Sequence, residues 1–129
     1  NQNIFSYIFH FLFLQKYLPF KVFTCSCVGD EVYLQKQFEL LSLDGPFPTI
    51  LNGSKKYHYG KLYVELYVLW QRLKEEMGVA FDLVYDPVGW KALLEHSASL
   101  DGTPIYLHQG GILGNTSMLQ RYARKANML

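Results

Sequence analysis

Apolar residues recur at helical spacing in two stretches of the chain. From about Leu62 to Met77 they form a continuous stripe with most charged residues off it, and Gly78 follows where the helix would end. This stripe consists of Leu62, Leu66, Leu69, Trp70, Leu73 and Met77. A second helix is predicted to begin after the N-cap Asp30 and to end near Leu43. Its apolar face consists of Leu34, Phe38 and Leu41.

Short runs of β-branched and aromatic residues alternate with these helices and predict strands. The runs are Lys21–Ser26, Phe81–Tyr85 and Ile105–Leu107. Asp86-Pro87 has the favoured order of an N-cap and an N1 proline, so another helix is predicted there. Its buried face would consist of Trp90, Leu93 and Leu94. We therefore expect an α/β fold, as a partial three-layer open sheet, mostly parallel, with helices on both faces.

A glycine-rich turn follows the last predicted strand. Gly110, Gly111 and Gly114 free the backbone to turn closely, and one of residues 115–117 would cap the helix that follows. In an α/β sheet such a turn lies at the carboxyl end of a strand, where its amide groups favour an anionic or polar ligand. A plain tight turn has the same composition, so both interpretations stay open.

Composition narrows the possible function classes. The chain has 129 residues, half of them hydrophobic, which suits one core, and its net charge of +1 gives no reason to expect nucleic acid. Cys25 and Cys27 would share one face of a strand and lie too close in sequence for an ordinary disulfide staple. A reducing cytoplasm fits this usage. Because there is no second cysteine pair and the four histidines are scattered, a zinc site is not favoured.

The segment 1–13 is atypical. Ile4–Leu14 is apolar nearly all round, but the run stops at Gln15 after about half the length that a membrane span needs. Asn1–Asn3 supplies no basic region, and no small-residue cleavage site follows, so a signal peptide is not favoured. We expect a buried helix and no membrane partner.

Several motifs, taken in order, resemble the C-terminal part of the D-cysteine desulfhydrase and 1-aminocyclopropane-1-carboxylate deaminase family. The motifs are Tyr59-Gly60, Asp86-Pro87-Val88, Lys91-Ala92 and Ile105 to Gly111. Their order and spacing match from Leu14 to Lys125, so the resemblance makes residues 14–129 the C-terminal α/β portion of a fold type II, tryptophan-synthase-β-like enzyme. Such enzymes hold pyridoxal 5'-phosphate on a lysine and convert a small amino acid into a keto acid and ammonia. The resemblance therefore implies a cytoplasmic pyridoxal-phosphate-dependent deaminase or lyase.

The resemblance also implies roles for individual residues. Tyr59 corresponds to a tyrosine near the substrate, and the loop His108, Gln109, Gly110 and Gly111 corresponds to the loop beside the pyridine ring. At Gly89-Trp90 the family has a second active-site tyrosine, so either Trp90 replaces it or the position is lost. Each residue also has a structural interpretation: Tyr59 could seat the long helix, His108 could be a packed histidine, and Trp90 could belong to the core.

Two parts of such an enzyme have no counterpart in these residues. Segment 1–13 contains no glycine, whereas the family carries its phosphate-binding turn upstream of Leu14, and the Schiff-base lysine is also absent. We expect a truncated or frame-disrupted product, inactive alone, whose partner would be the missing N-terminal portion or another copy. The alternative is a non-catalytic α/β interaction module that binds through a sheet edge and the apolar segment.

Overall fold

A computed structural model describes residues 12–41 and 44–126. The chain divides into two compact units between Asn52 and Gly53. The predicted apolar segment 1–13 lies almost entirely outside the described residues. Within the described ranges, no helix is long and apolar enough to cross a membrane.

After the helical residues 12–17, the first unit contains a strand, a helix and a second strand. β1 (Phe23–Thr24) precedes α1 (Glu31–Leu41), and β2 (Thr49–Ile50) follows. The two strands pair in parallel, and the amide of Leu51 donates to the carbonyl oxygen of Thr24 at 2.7 Å. The parallel pairing across a helix matches the predicted βαβ pattern, although the sheet of the described residues has only these two short strands.

Helix α1 begins at the predicted cap, and Phe38 and Leu34 of its predicted apolar face pack inward, whereas Leu41 is 39% exposed and that part of the prediction is wrong. The amide of Tyr33 donates to Oδ1 of Asp30 at 2.8 Å, which confirms Asp30 as the cap of the helix. Phe38 is completely buried, and Leu12, in the helical residues 12–17, is buried beside it. The partly buried residues packed on this pair are Leu34, Phe47 and Ile50.

The second unit is helical. Its helices are α2 (Val64–Met77), α3 (Asp86–His96) and α4 (Asn115–Ala126), with 3₁₀ turns at Ser97–Ser99 and Ile112–Gly114. The buried core consists of Trp70, Leu73, Phe81, Leu83 and Met118. The described residues of the chain are therefore mainly helical, with one small parallel sheet in the first unit.

The apolar stripe of α2 lies against this core, as predicted. Leu66, Trp70 and Leu73 are buried. At the end of the helix Gly78 adopts a left-handed conformation with φ of 67°, and its amide donates to the carbonyl oxygen of Lys74 at 3.0 Å. The stop signal is confirmed, and the stripe is confirmed except at Met77, which is 49% exposed at the end of the helix.

The predicted strand Phe81–Tyr85 is wrong. The carboxylate of Asp82 accepts hydrogen bonds from the amides of Val84 and Tyr85 at 3.0 and 2.6 Å. These bonds fold the segment into a turn and satisfy the amide groups that a neighbouring strand would otherwise bind. Phe81, Asp82 and Leu83 are buried without belonging to a sheet, whereas Tyr85 at the end of the segment is exposed.

The predicted strand Ile105–Leu107 is also wrong. Residues 105–107 form no strand, and Ile105 is 86% exposed. Only Tyr106 turns inward onto the core. A strand needs a neighbouring strand along its edge to bind its backbone groups, and the amides of the predicted neighbour, Phe81–Tyr85, bind side chains instead.

Helix α3 begins at the predicted place, but its buried face differs from the predicted one. Pro87 and Ala92 are buried, and Trp90 packs on the core while remaining partly exposed. Leu94, predicted to be buried, is 51% exposed, because the helix packs on the core through Trp90 and its last turn does not take part. The prediction of Asp86 as the N-cap is wrong by one position, because Tyr85 occupies the N-cap and Asp86 lies in the first turn with its carboxylate bound to other segments.

Candidate functional site

An apolar cleft of about 320 Å³ opens on the second unit. Two of the predicted site residues, Trp90 and His108, contribute to its walls. Within the part of the chain that the structure describes, the lining consists of Met77, Val79, Phe81, Trp90, Leu93, Pro104, Tyr106 and His108. Concave apolar sites with a few polar groups are typical of small-molecule binding, so this cleft is the candidate site.

Aromatic rings hold the walls of the cleft together. Trp90 and Tyr106 stack with their centroids 4.5 Å apart and an interplanar angle of 19°. Phe81 meets both of these rings edge-on, and it meets the imidazole of His108 at 5.0 Å. Pairs of this kind contribute roughly 0.5–1.5 kcal/mol beyond their buried area, so they fix the orientation of the lining.

Asp86 links the start of α3 to the segment that carries His108. Its Oδ1 accepts a hydrogen bond from the hydroxyl of Tyr106 at 2.6 Å, and its Oδ2 accepts one from the amide of Asp82 at 2.8 Å. The same Oδ2 lies 3.2 Å from Nδ1 of His108. Nδ1 is buried and forms no aligned hydrogen bond, so this last contact is a close approach of charges when the imidazole is protonated.

Asp82 places a second carboxyl group close to Asp86, outside the lining of the cleft. It is only 5% exposed, and burial raises its pKa, an effect that the amide donors of Tyr85 and Val84 partly offset. The nearby charge of Asp86 also raises the pKa. A Cβ atom added to Gly111 would lie 3.6 Å from Oδ2 of Asp82, so the glycine-rich turn runs alongside this carboxyl group.

The other predicted site residues lie around the cleft rather than in it. Tyr59 is 64% exposed and stacks on Tyr85 with the ring centroids 5.7 Å apart, outside the lining of the cleft. Gln109 is half-buried, and Gly110 is exposed with φ of 83° and open space where a side chain would begin. The structure therefore brings Trp90 and His108 together in the cleft. Tyr59 lies outside it, against Tyr85 at the N-terminus of α3.

Sequence reasoning missed Asp82 and Asn115. The side chain of Asn115 accepts from the amide of Leu83 and donates to the carbonyl oxygen of Phe81, both at 2.8 Å. An available signal was the charged Asp82 inside a run assigned to a buried strand, because such a residue costs free energy there unless it is hydrogen-bonded. Asn115 was predicted only as one of three candidate helix caps, and no local signal pointed to its bonds with Leu83 and Phe81, which lie more than thirty residues away.

The described residues do not form a complete pyridoxal-phosphate site. Lys55 contacts Glu65, whose carboxylate raises the pKa of the lysine and keeps the amine protonated, and Lys91 lies 3.1 Å from Glu95. Neither lysine lines the cleft. The aromatic side chains of the lining suit a flat ring, but the polar groups of the described lining residues form no cluster of donors for a phosphate. No cluster of three potential metal ligands occurs among the residues that the structure describes.

Comparisons with known proteins assign the chain to no family. No protein-family model matches the sequence, and no curated protein matches it significantly. The family resemblance of the motifs therefore stays a prediction, and any function must be inferred from the cleft itself.

Proposed function

We propose that the chain supplies the ring-binding portion of a cytoplasmic pyridoxal-phosphate-dependent deaminase or desulfhydrase. The substrate would be a small amino acid such as D-cysteine or 1-aminocyclopropane-1-carboxylate. The observation that supports this is the close approach of Oδ2 of Asp86 to Nδ1 of His108 at 3.2 Å. These residues belong to two motifs, far apart in sequence, that the resemblance assigns to one active site.

The chain is proposed to be inactive alone. Its cleft offers flat aromatic walls and one histidine, but neither the lysine nor the phosphate-binding turn of such an enzyme lies among the described residues. No step of the reaction is therefore assigned to these side chains. Their proposed role is to receive a ring between the Trp90 side of the cleft and the His108 segment, which Asp86 positions. The remaining groups would come from an N-terminal portion or from another copy of the chain.

A complementation experiment tests this function. The chain is mixed with the N-terminal portion of a D-cysteine desulfhydrase that carries the lysine and the glycine-rich turn, together with pyridoxal phosphate. We expect cofactor absorbance retained after dialysis and sulfide released from D-cysteine, and neither from the chain alone. His108→Ala should lower the restored activity by at least about tenfold, whereas the exposed His58→Ala should not. Turnover by the chain alone, or no gain on mixing, would contradict the proposal.

Exposed apolar side chains support a second candidate, a non-catalytic interaction module. In the segment 105–113, Ile105 is 86% exposed and Leu113 is 96% exposed, and Leu107 and Ile112 are also exposed. Such residues often mark a binding surface. If this alternative holds, the Ile105→Ser, Leu113→Ser double variant should abolish self-association in sedimentation velocity. Val68→Ser, at an exposed position of α2, is the control. A wild-type chain that is already monomeric would rule out self-association through this segment.

A further inference from the structure

Two thiols converge directly after β1 in the first unit. Cys25 and Cys27 are the only cysteines of the chain, and both are half-buried. Their Sγ atoms lie 3.6 Å apart, close enough for the S–H group of one to contact the sulfur of the other. We propose that this pair is a redox site, which a low-molecular-weight disulfide of the glutathione type oxidises reversibly to an intrachain disulfide. The proposal is independent of the proposed catalytic function.

The local backbone explains why the two sulfur atoms meet. Cys25 continues from the strand, while the chain bends at residues 27–29, where the hydroxyl of Ser26 donates to the carbonyl oxygen of Val28 at 3.1 Å. Gly29 then adopts a left-handed conformation with φ of 80°. A disulfide has an S–S distance of about 2.05 Å, so the sulfur atoms must approach by about 1.5 Å. Rotation of the two side chains provides movement of this size.

The reaction balances without a metal or a further oxidant. A thiolate of the pair attacks one sulfur of the small disulfide, the S–S bond of that molecule breaks, and one small thiol leaves with a proton. The second thiolate then attacks the cysteine sulfur of the mixed disulfide, forms the Cys25–Cys27 bond and releases the second small thiol. Two electrons pass from the pair to the small disulfide. Contact between the two thiols assists the first step, because an adjacent S–H donor stabilises a thiolate.

The short ring makes this disulfide reversible rather than structural. A bond between residues two positions apart restricts the unfolded chain very little, so it adds little stability. Strained bonds of this kind are reduced more readily than the long-range disulfides of secreted proteins. The alternative of a resident zinc ion lacks ligands, because the described residues contain no group of three potential metal ligands.

The test is a redox titration of the full chain. The protein is equilibrated with reduced and oxidised glutathione at defined ratios, quenched with acid, alkylated and weighed as an intact protein. In reduced glutathione both cysteines should be alkylated. In excess oxidised glutathione more than about half of the chain should carry no alkyl group and no glutathione, and should have lost the mass of two hydrogen atoms. Dithiothreitol should reverse the change.

Single variants provide the matched controls. Cys25→Ser and Cys27→Ser each retain one thiol and should accumulate a mixed disulfide with glutathione, because no second thiol is present to resolve it. Three results for the wild-type chain would each overturn the proposal. These are unreacted thiols at every ratio, a stable glutathione adduct at the level of the single variants, and disulfide-linked dimers in place of the intrachain bond.

Discussion

Asn115 joins two parts of the second unit through its side chain alone. Its amide group binds both the amide of Leu83 and the carbonyl oxygen of Phe81. The carbonyl of Phe81 also accepts from the indole of Trp70, whereas the amide of Leu83 has Asn115 as its partner. A buried amide without a partner is costly, so the acceptor oxygen of Asn115 contributes more stability than its donor.

Asn115→Ala should therefore lower the free energy of unfolding by about 1–3 kcal/mol. Asn115→Asp keeps the acceptor for Leu83 and should cost less than the alanine variant. Urea unfolding followed by circular dichroism measures both changes. Thr116→Ala, at an exposed position of the same helix, is the control and should stay within about 0.5 kcal/mol of the wild type. Equal losses for both Asn115 variants would show that the acceptor is not the stabilising group.

Asp82 makes the stability of the second unit depend on pH. Because burial raises its pKa above the ordinary value of 3.8, the folded chain binds this proton more tightly than the unfolded chain. The stabilisation of the folded chain by protonated Asp82 is fully present below pH 3.8. It is lost as the pH rises through the higher pKa that Asp82 has in the folded chain.

Asp82→Asn should remove this dependence while keeping an oxygen that accepts from the amides of Val84 and Tyr85. The stability of the variant relative to the wild type should be higher at about pH 7 than at about pH 3. Urea unfolding at a series of pH values provides the measurement, with Asp101→Asn as an exposed control. A difference that does not change with pH would contradict the assigned effect of burial.

At the scale of elements, the sequence predicts what is determined locally. The cap at Asp30, the stripe of α2 and the stop at Gly78 depend on residues within a few positions, and the structure confirms them. Strands depend on partners elsewhere in the chain, and both strands predicted in the second unit are wrong because side chains bind the backbone of Phe81–Tyr85. The predicted Lys21–Ser26 strand is confirmed only in part, over Phe23–Thr24.

Gly78→Ala tests the end of α2. Nothing lies within 4 Å of the added Cβ atom, so the cost should come from the left-handed backbone alone, about 1–2 kcal/mol. Gly114→Ala is a matched control, since its surroundings are equally open and its φ is not left-handed. The control should be neutral or slightly stabilising, because alanine restricts the unfolded chain. Thermal unfolding of the two variants measures the difference, and similar midpoints would contradict the assigned role of φ.

At the scale of the whole molecule, the division into two units gives each a small core. In the first unit Phe38 is completely buried, and its apolar neighbours within residues 12–41 and 44–52 are Leu12, Leu34, Phe47 and Ile50. Phe38→Ala should therefore cost about 3–5 kcal/mol, which is comparable to the stability of so small a unit. The expected result is rapid hydrogen exchange of the Leu51 amide, which binds β1. Leu40→Ala, an exposed change in the same helix, should leave that exchange slow.

The sequence predicted the segments of the candidate site but not the contacts between them. Proline and glycine signals predicted a helix start at Asp86 and a turn at Gly110–Gly111, and the structure brings Trp90 and His108 to one cleft. Tyr106 was assigned to a strand, yet its hydroxyl binds Asp86 and its ring stacks on Trp90. Contacts of this kind join segments that are far apart in sequence and produce no periodic pattern, so they could not be predicted from the sequence.

The positions of the two tryptophans determine which part of the protein intrinsic fluorescence can follow. Trp70 and Trp90 are the only tryptophans, and both lie in the second unit. Trp70 is buried with its N–H group bonded to the carbonyl oxygen of Phe81 at 2.7 Å, so its emission should shift to longer wavelength when that bond is exchanged for water. Intrinsic fluorescence excited at the indole band therefore follows the helical unit, and only tyrosine emission or an introduced dye can follow the unit that carries the two thiols.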